Sequence, residues 1–119
     1  MHELGIMTGV VDSVCSAARD AGATEVTLVC LRVGEMTEAI PDALQFAFEV
    51  LQESEPLMAN AQLQVTMVQP QSRCLECGAE YTHDRFHMLC PECGSFATQL
   101  VAGKELQVDS IEVELPDDA

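Results

Sequence analysis

The sequence predicts an α+β fold: a small mixed three-stranded sheet packed with two helices, plus an inserted zinc-ribbon-like module carrying four cysteines. Apolar residues recur at helical spacing in two stretches, and β-branched residues cluster in three others. Two CxxC pairs fall between the second and third strand-like stretches, so the module interrupts the sheet. The expected division is residues 1–70 with 104–119 as the α+β domain and 71–103 as the metal-binding insertion. A chain of 119 residues has room for one core with a small satellite.

The first helix follows from Met7, Val10, Val11, Val14, Ala18 and Ala21, whose steps of three and four mark one face between Leu4 and Ala21. Gly22 suits the position just beyond its end. EVTLVCLRVGE is apolar on both parities and reads as a strand buried on both faces, ending at Gly34. Pro41 opens a second helix with Leu44, Ala47, Phe48 and Leu51 on one side, and Pro56 stops it.

AQLQVTMVQP alternates Leu63, Val65 and Met67 with Gln62, Gln64 and Thr66, a strand with one wet face. This strand–helix–strand stretch permits a right-handed parallel crossover. KELQVDSIEVEL switches parity between Val108 and Ile111, so a β-bulge near Asp109–Ser110 is expected to turn both apolar sets inward. Asp117, Asp118 and Ala119 are expected to be loose.

Charge narrows the function. Twenty acidic residues against five basic ones give a formal charge of −15, with no Lys or Arg cluster to displace phosphate counterions. Nucleic acid is excluded as a partner, and cations or basic protein surfaces are favoured. No apolar run approaches the roughly 20 residues that span a bilayer. The N-terminal sequence lacks the pattern of a signal peptide, so a cytoplasmic protein without membrane contact is expected.

CLEC and CPEC are separated by twelve residues, and a glycine, Gly78 or Gly94, follows each pair. CxxC sets two sulfurs on one tight turn, and glycine can take the positive φ that such a turn needs. Cys74, Cys77, Cys90 and Cys93 therefore form a four-thiolate site for structural zinc, closed to water and substrate. His83 and His87 lie inside the module and are expected at its surface, since four cysteines complete the shell. Cys15 and Cys30 stand in apolar stretches and read as buried small hydrophobes.

The chain begins MHELGIM. A free amine on Met1, the backbone nitrogen of His2 and its imidazole can close a five- and a six-membered ring on one ion. A backbone nitrogen of Glu3 or another donor can take the fourth corner. A planar nitrogen set suits Ni(II) or Cu(II) rather than zinc, and its amide deprotonation makes binding fall with acid. The alternative is a frayed tail with no fixed geometry.

MHELGIM at residue 1, the turn at Val33–Glu35, ALQFAFE at Ala43–Glu49, and CLECG with CPECG resemble, in that order, the HypA/HybF family of nickel metallochaperones. The resemblance runs over essentially the whole chain. It implies a nickel site at the N-terminus, with His2 as the imidazole ligand and Met1 and Glu3 contributing backbone nitrogens or neighbouring contacts. It also implies structural zinc on Cys74, Cys77, Cys90 and Cys93.

The implied activity is delivery of Ni(II) to the large subunit of a nickel–iron hydrogenase during maturation, together with a HypB-type GTPase. It is not catalysis, and a homodimer is carried as a further expectation. One position departs from the family pattern. Where some members place an acidic ligand in the turn after the GE pair, this chain has Ile40, and neither Glu38 nor Asp42 is a match. The competing reading is a zinc-ribbon protein-interaction adaptor without nickel transfer.

Overall fold

A computed structural model describes residues 2–116, so the expectations for Met1 and for Asp117, Asp118 and Ala119 lie outside the described residues. The elements are α1 (His2–Asp20), β1 (Glu25–Gly34), α2 (Pro41–Gln52), β2 (Gln62–Val68), β3 (Gln71–Cys74), β4 (Glu80–Thr82), β5 (Thr98–Ala102) and β6 (Leu106–Glu114). Short 3-10 turns at Glu35–Thr37 and Pro56–Met58 flank α2. Among the described residues there are two α-helices and two three-stranded sheets, ordered β2-β1-β6 and β4-β3-β5. The α+β class with a separate cysteine module holds.

Two compact units divide the chain. The first comprises Met1–Leu31, Ala39–Thr66 and Val108–Ala119. Its core joins Met7, Val14 and Ala18 of α1, Val26, Val29 and Leu31 of β1, and Leu44 and Phe48 of α2, all buried. The helical spacing of these side chains makes one continuous apolar face on each helix, and α1 packs on α2. Each large aliphatic or aromatic side chain so buried stabilises the unit by roughly 1.5–3 kcal/mol.

The end of α1 is a Schellman turn. Gly22 takes φ 74, its N–H donates to Arg19 O, and Ala23 N–H donates to Ala18 O. The start of α1 differs from expectation, because helix begins at His2 rather than Leu4.

The first sheet is mixed, as expected. Thr24 N–H donates to Glu114 O and Thr27 Oγ1 to Glu112 O, so residue numbers run oppositely along β1 and β6. Asn60 reaches Glu25 and Cys30 reaches Gln64, so numbers rise together on the β2 side. β1 fully buries Val26, Val29, Leu31 and Val33, whereas Leu28 and Cys30 are half-buried and Arg32 is exposed. Full burial therefore falls on both parities, with Val26 on one and Val29, Leu31 and Val33 on the other, while Cys30 is half-buried instead of in the core.

β2 alternates as its sequence requires, with Leu63 buried and Gln62, Gln64 and Thr66 exposed. β6 shows the parity change, since Val108, Ile111 and Val113 are half-buried while Leu106 and Leu115 are exposed. An edge strand offers one flank to solvent, which explains why neither apolar set of β6 is fully sheltered.

The second unit comprises Arg32–Glu38 and Met67–Gln107. Its sheet pairs Ser72 with Tyr81 and Arg73 with Glu80 on one side, and Arg73 with Gln99 and Cys74 with Thr98 on the other, all antiparallel. Two glycines allow a close backbone crossing. Gly34 N–H donates to Glu105 O, Met36 N–H donates to Gly103 O, and a Cβ on Gly34 would collide with Gly103 O. Gly103 itself has φ 120, and a Cβ there would lie 2.8 Å from Pro70 Cα. Segment 32–38 is thereby stitched to the chain leaving β5.

Candidate metal centres

The cysteine cage is built from two tight turns. In the first, Gly78 N–H donates to Cys74 O at 3.0 Å and Cys77 N–H points at Cys74 Sγ at 3.4 Å. In the second, Gly94 N–H donates to Cys90 O at 2.8 Å. Gly78 and Gly94 have φ 78 and 72, the left-handed conformation for which the sequence spacing reserves glycine. β3 delivers Cys74, and Cys90 is braced by its N–H donating to Ser95 O. Cys74 and Cys90 are buried and Cys77 and Cys93 exposed, so each turn gives one inner and one outer sulfur.

The four Sγ atoms lie within 4.8 Å of one another, with Cys74–Cys93 and Cys77–Cys90 both at 3.6 Å. A tetrahedron with Zn–S of about 2.3 Å has edges of about 3.8 Å, so these sulfurs already stand near the separation zinc requires. Electrostatics agree. The Cys77 backbone N–H is the largest influence lowering the Cys74 thiol to about 6. The Ser95 N–H lowers Cys93, but the sulfurs of Cys74, Cys77 and Cys90 and burial outweigh it and push that thiol up to about 12. Four crowded thiols do not all ionise without a cation among them. The residue set fits structural zinc, and it is the one group of three or more potential ligands converging among the described residues.

His83 is not at the surface. It is 7% exposed, accepts at Nε2 from Ser72 Oγ at 2.8 Å and donates from Nδ1 to Asp84 O at 2.5 Å. A carbonyl oxygen only accepts, so the Nδ1 proton is assigned and both ring nitrogens are occupied. His83 therefore has no nitrogen left for a metal. His87 is exposed as expected and pairs with Asp84 Oδ1 at 2.7 Å. Tyr81 Oη donates to Met88 O at 2.9 Å, tying down the loop between the cysteine pairs.

At the other candidate centre, His2 and Glu3 form the first turn of α1. The first amides of a helix have no intrahelical acceptor, so the backbone nitrogens of His2 and Glu3 are ones the helix does not need. Glu3 is 7% exposed, and its Oε2 accepts from Ile40 N–H at 3.3 Å. The same oxygen lies 3.5 Å from His2 Nε2, and the His2 side chain is 54% exposed. The Glu3 carboxyl is held below its ordinary range by its own backbone N–H, then by that of Ile40 and the charge of His2, against an opposing contribution from burial.

Sequence reasoning missed Ile40 as the anchor of Glu3 and Ser72 as the partner of His83. Neither contact has a local signal, since the first spans 37 positions and the second 11. Glu35 opens a turn in which its carbonyl accepts from Glu38 N–H, and Glu38 sits at φ 64. Both belong to turn geometry.

A family model described as hydrogenase/urease nickel incorporation, metallochaperone, hypA matches residues 1–113. A hydrogenase maturation factor HypA from Geotalea uraniireducens is 37% identical over 114 residues, 96% of this chain and 100% of that protein. Its counterpart from Chlorobium luteolum is 35% identical, over 96% of this chain and 97% of that one. The solution structure of the Ni metallochaperone HypA from Helicobacter pylori superposes with a TM-score of 0.70 at 18% identity, covering 96% of this chain and 98% of that one. Another solution structure, of a HypA protein, gives 0.72 at 20% identity over 95% and 96% of the respective chains. At those identities the two structures speak to the fold.

Proposed function

Because this chain belongs to the HypA family of hydrogenase and urease nickel-incorporation metallochaperones, we propose that it binds Ni(II) at its N-terminus and delivers it to the large subunit of a nickel–iron hydrogenase. The family comprises maturation factors, not catalysts, so the chain is not an enzyme. The observation that carries the nickel reading is His2 at the start of α1, where the first backbone N–H groups have no helix carbonyl to accept them beside its imidazole.

The proposed donor set is the Met1 amine, the His2 amide nitrogen, His2 Nδ1 and the Glu3 amide nitrogen. Each ligating amide gives up its proton to solvent, so acid competes directly with the cargo. The positive end of α1 opposes a bare dication, and the two amide anions offset that repulsion. Such a balance suits capture with release. The −15 charge adds a long-range attraction for cations.

Cys74, Cys77, Cys90 and Cys93 are proposed to hold zinc, which supplies a structural cross-link in place of an apolar core. Functionally, residues 1–70 with 104–119 handle nickel and 71–103 form the zinc module. The module docks the hydrogenase subunit and the helical face meets a HypB-type GTPase. Exposed apolar side chains stand on both surfaces: Leu75, Phe86 and Phe96 on the module, Leu4, Phe46 and Val50 on the helices. The setting is cytoplasmic, and among the described residues no helix is long and apolar enough to cross a membrane.

Titration calorimetry with Ni(II) on protein carrying an unmodified Met1, beside a His2→Ala variant, tests the cargo assignment. Tight one-to-one binding lost in the variant supports it, and equal binding in both removes it. The adaptor reading draws on Phe86 and Phe96, which are 75% and 87% exposed on the zinc module. Complex formation with the large subunit that leaves nickel incorporation unchanged in the His2→Ala protein would favour that reading.

A further inference from the structure

The two edges of the first sheet differ in how their backbone groups are met. At β2, Leu63 O accepts from Gln45 Nε2 at 2.7 Å, and Ala61 O, just ahead of the strand, accepts from Gln52 Nε2 at 2.8 Å. Side chains of α2 thus occupy acceptors along that edge. At β6 the carbonyls of Glu112 and Glu114 turn to β1, where Thr27 Oγ1 and Thr24 N–H reach them. Backbone groups alternate sides along a strand, so those of Ile111 and Val113 turn to the open flank. Among the described residues no side chain bonds to either.

Such a flank is a ready template for another strand. Beside it lies a groove of about 200 Å³, lined by Ser13, Val14 and Ala17 of α1 and by Val108, Ser110 and Ile111 of β6. No metal ligand lines it. Glu112 and Glu114 alternate with Ile111 and Val113, so they stand on the opposite face of β6, and both are exposed. The strand holds no basic residue. A chain laid along this edge would set alternate side chains at the groove and the others beside the two carboxylates.

We propose that the open edge of β6 receives an extended basic segment of a partner protein as an added strand, with aliphatic side chains in the groove and Lys or Arg beside Glu112 and Glu114. Main-chain bonds to Ile111 and Val113 supply the pairing, and alternation of charged and aliphatic residues supplies the choice of sequence. A second copy of this chain is a poor occupant. Pairing β6 with β6 sets acid beside acid on two chains that each carry a formal charge of −15.

Amide hydrogen exchange and titration calorimetry on the full zinc-loaded chain test this with a short capped peptide of alternating lysine and valine. Its fully N-methylated counterpart keeps every charge and loses every backbone donor. The unmodified peptide is expected to bind saturably and to slow exchange at Ile111 and Val113 by about tenfold or more. The N-methylated peptide should bind at least about tenfold more weakly. A double variant, Glu112→Lys with Glu114→Lys, should lose about tenfold in affinity for the unmodified peptide.

Failure of the unmodified peptide to bind, or equal binding of the two peptides, would overturn the proposal. Unchanged exchange at Ile111 and Val113 under saturating peptide would do the same. A dimer in sedimentation equilibrium whose Ile111 and Val113 amides are protected without peptide would assign the edge to a second copy and also overturn it. The peptide comparison uses the wild-type chain, so it decides the matter even where the double variant does not fold.

Discussion

The cysteine cage and the N-terminal turn differ in how much of their geometry the polypeptide holds by itself. In the cage, two glycine-ended turns and three short strands bring four sulfurs within 4.8 Å. At the N-terminus one half-exposed imidazole stands beside backbone nitrogens, with one braced carboxylate behind it. A preformed, charge-dense cage suits a resident ion, because little reorganisation opposes binding and four thiolates are stranded when the ion leaves. Donors drawn from a helix terminus suit cargo, because the same amides revert to solvated N–H groups on release. The proposed assignment gives permanence and transfer different donor chemistry in one small chain.

Breaking the cage should have the largest effect. Cys90→Ser, or a strong chelator, is expected to remove zinc and with it the fold of β3, β4 and β5, since structural zinc contributes roughly 10 kcal/mol or more in small modules. Amide chemical-shift dispersion would report this, with the signals of α1 and α2 retained. A cage that keeps its sheet without metal would erase the contrast between the two regions.

Acetylating the Met1 amine should abolish tight Ni(II) binding while zinc content stays constant. Acetylation turns the amine into an amide and leaves every cysteine untouched. Metal analysis of the two proteins after nickel loading and desalting checks it, and retained nickel would show that the amine is no ligand.

The scaffold behind the N-terminal turn can be loosened without touching a donor. Phe48→Ala should destabilise the helical unit by about 3–5 kcal/mol, as Phe48 is 2% exposed. Phe46→Ala, two positions away and 56% exposed, should change stability by no more than about 0.5 kcal/mol. Urea unfolding followed by helix signal separates the pair. If loosening α2 also weakens nickel binding, the N-terminal site borrows rigidity through Ile40.

The smallest expected effect is a pH term in the loop between the cysteine pairs. Asp84 is held below the ordinary carboxyl range first by its bond to the His87 ring and then by the Phe86 N–H. A depressed folded-state pKa means this contribution is present above the usual carboxyl range and fades as pH falls through the lowered value. Solvent screening keeps it small, since both side chains are at least half exposed. Asp84→Asn should therefore cost a little stability near neutrality and nothing in strong acid, read as the difference in urea midpoint against wild type.

Local patterns carried most of this molecule. Steps of three and four placed Leu44, Ala47 and Phe48 on the buried face of α2. Alternation set Leu63 inward on β2. Cysteine spacing with Gly78 and Gly94 anticipated the cage. Burial across elements was harder to read. β1 looked apolar on both parities and buries residues of both, yet Leu28 and Cys30 are only half-buried, because strand sequence records compatibility with burial and not which neighbours arrive. His83 looked like a surface residue because its partner Ser72 is brought to it by pairing of β3 with β4.

The sequence by itself determined the chemistry: which donors exist, their spacing, the positive-φ glycines and the surplus of acid. These are properties of neighbouring residues and of composition, so they survive without knowledge of the fold. Tertiary structure alone decided that Glu3 is buried on Ile40 N–H and that His83 is spent on Ser72. Both outcomes depend on groups distant in sequence meeting at hydrogen-bond range, where only packing of whole elements sets the distance.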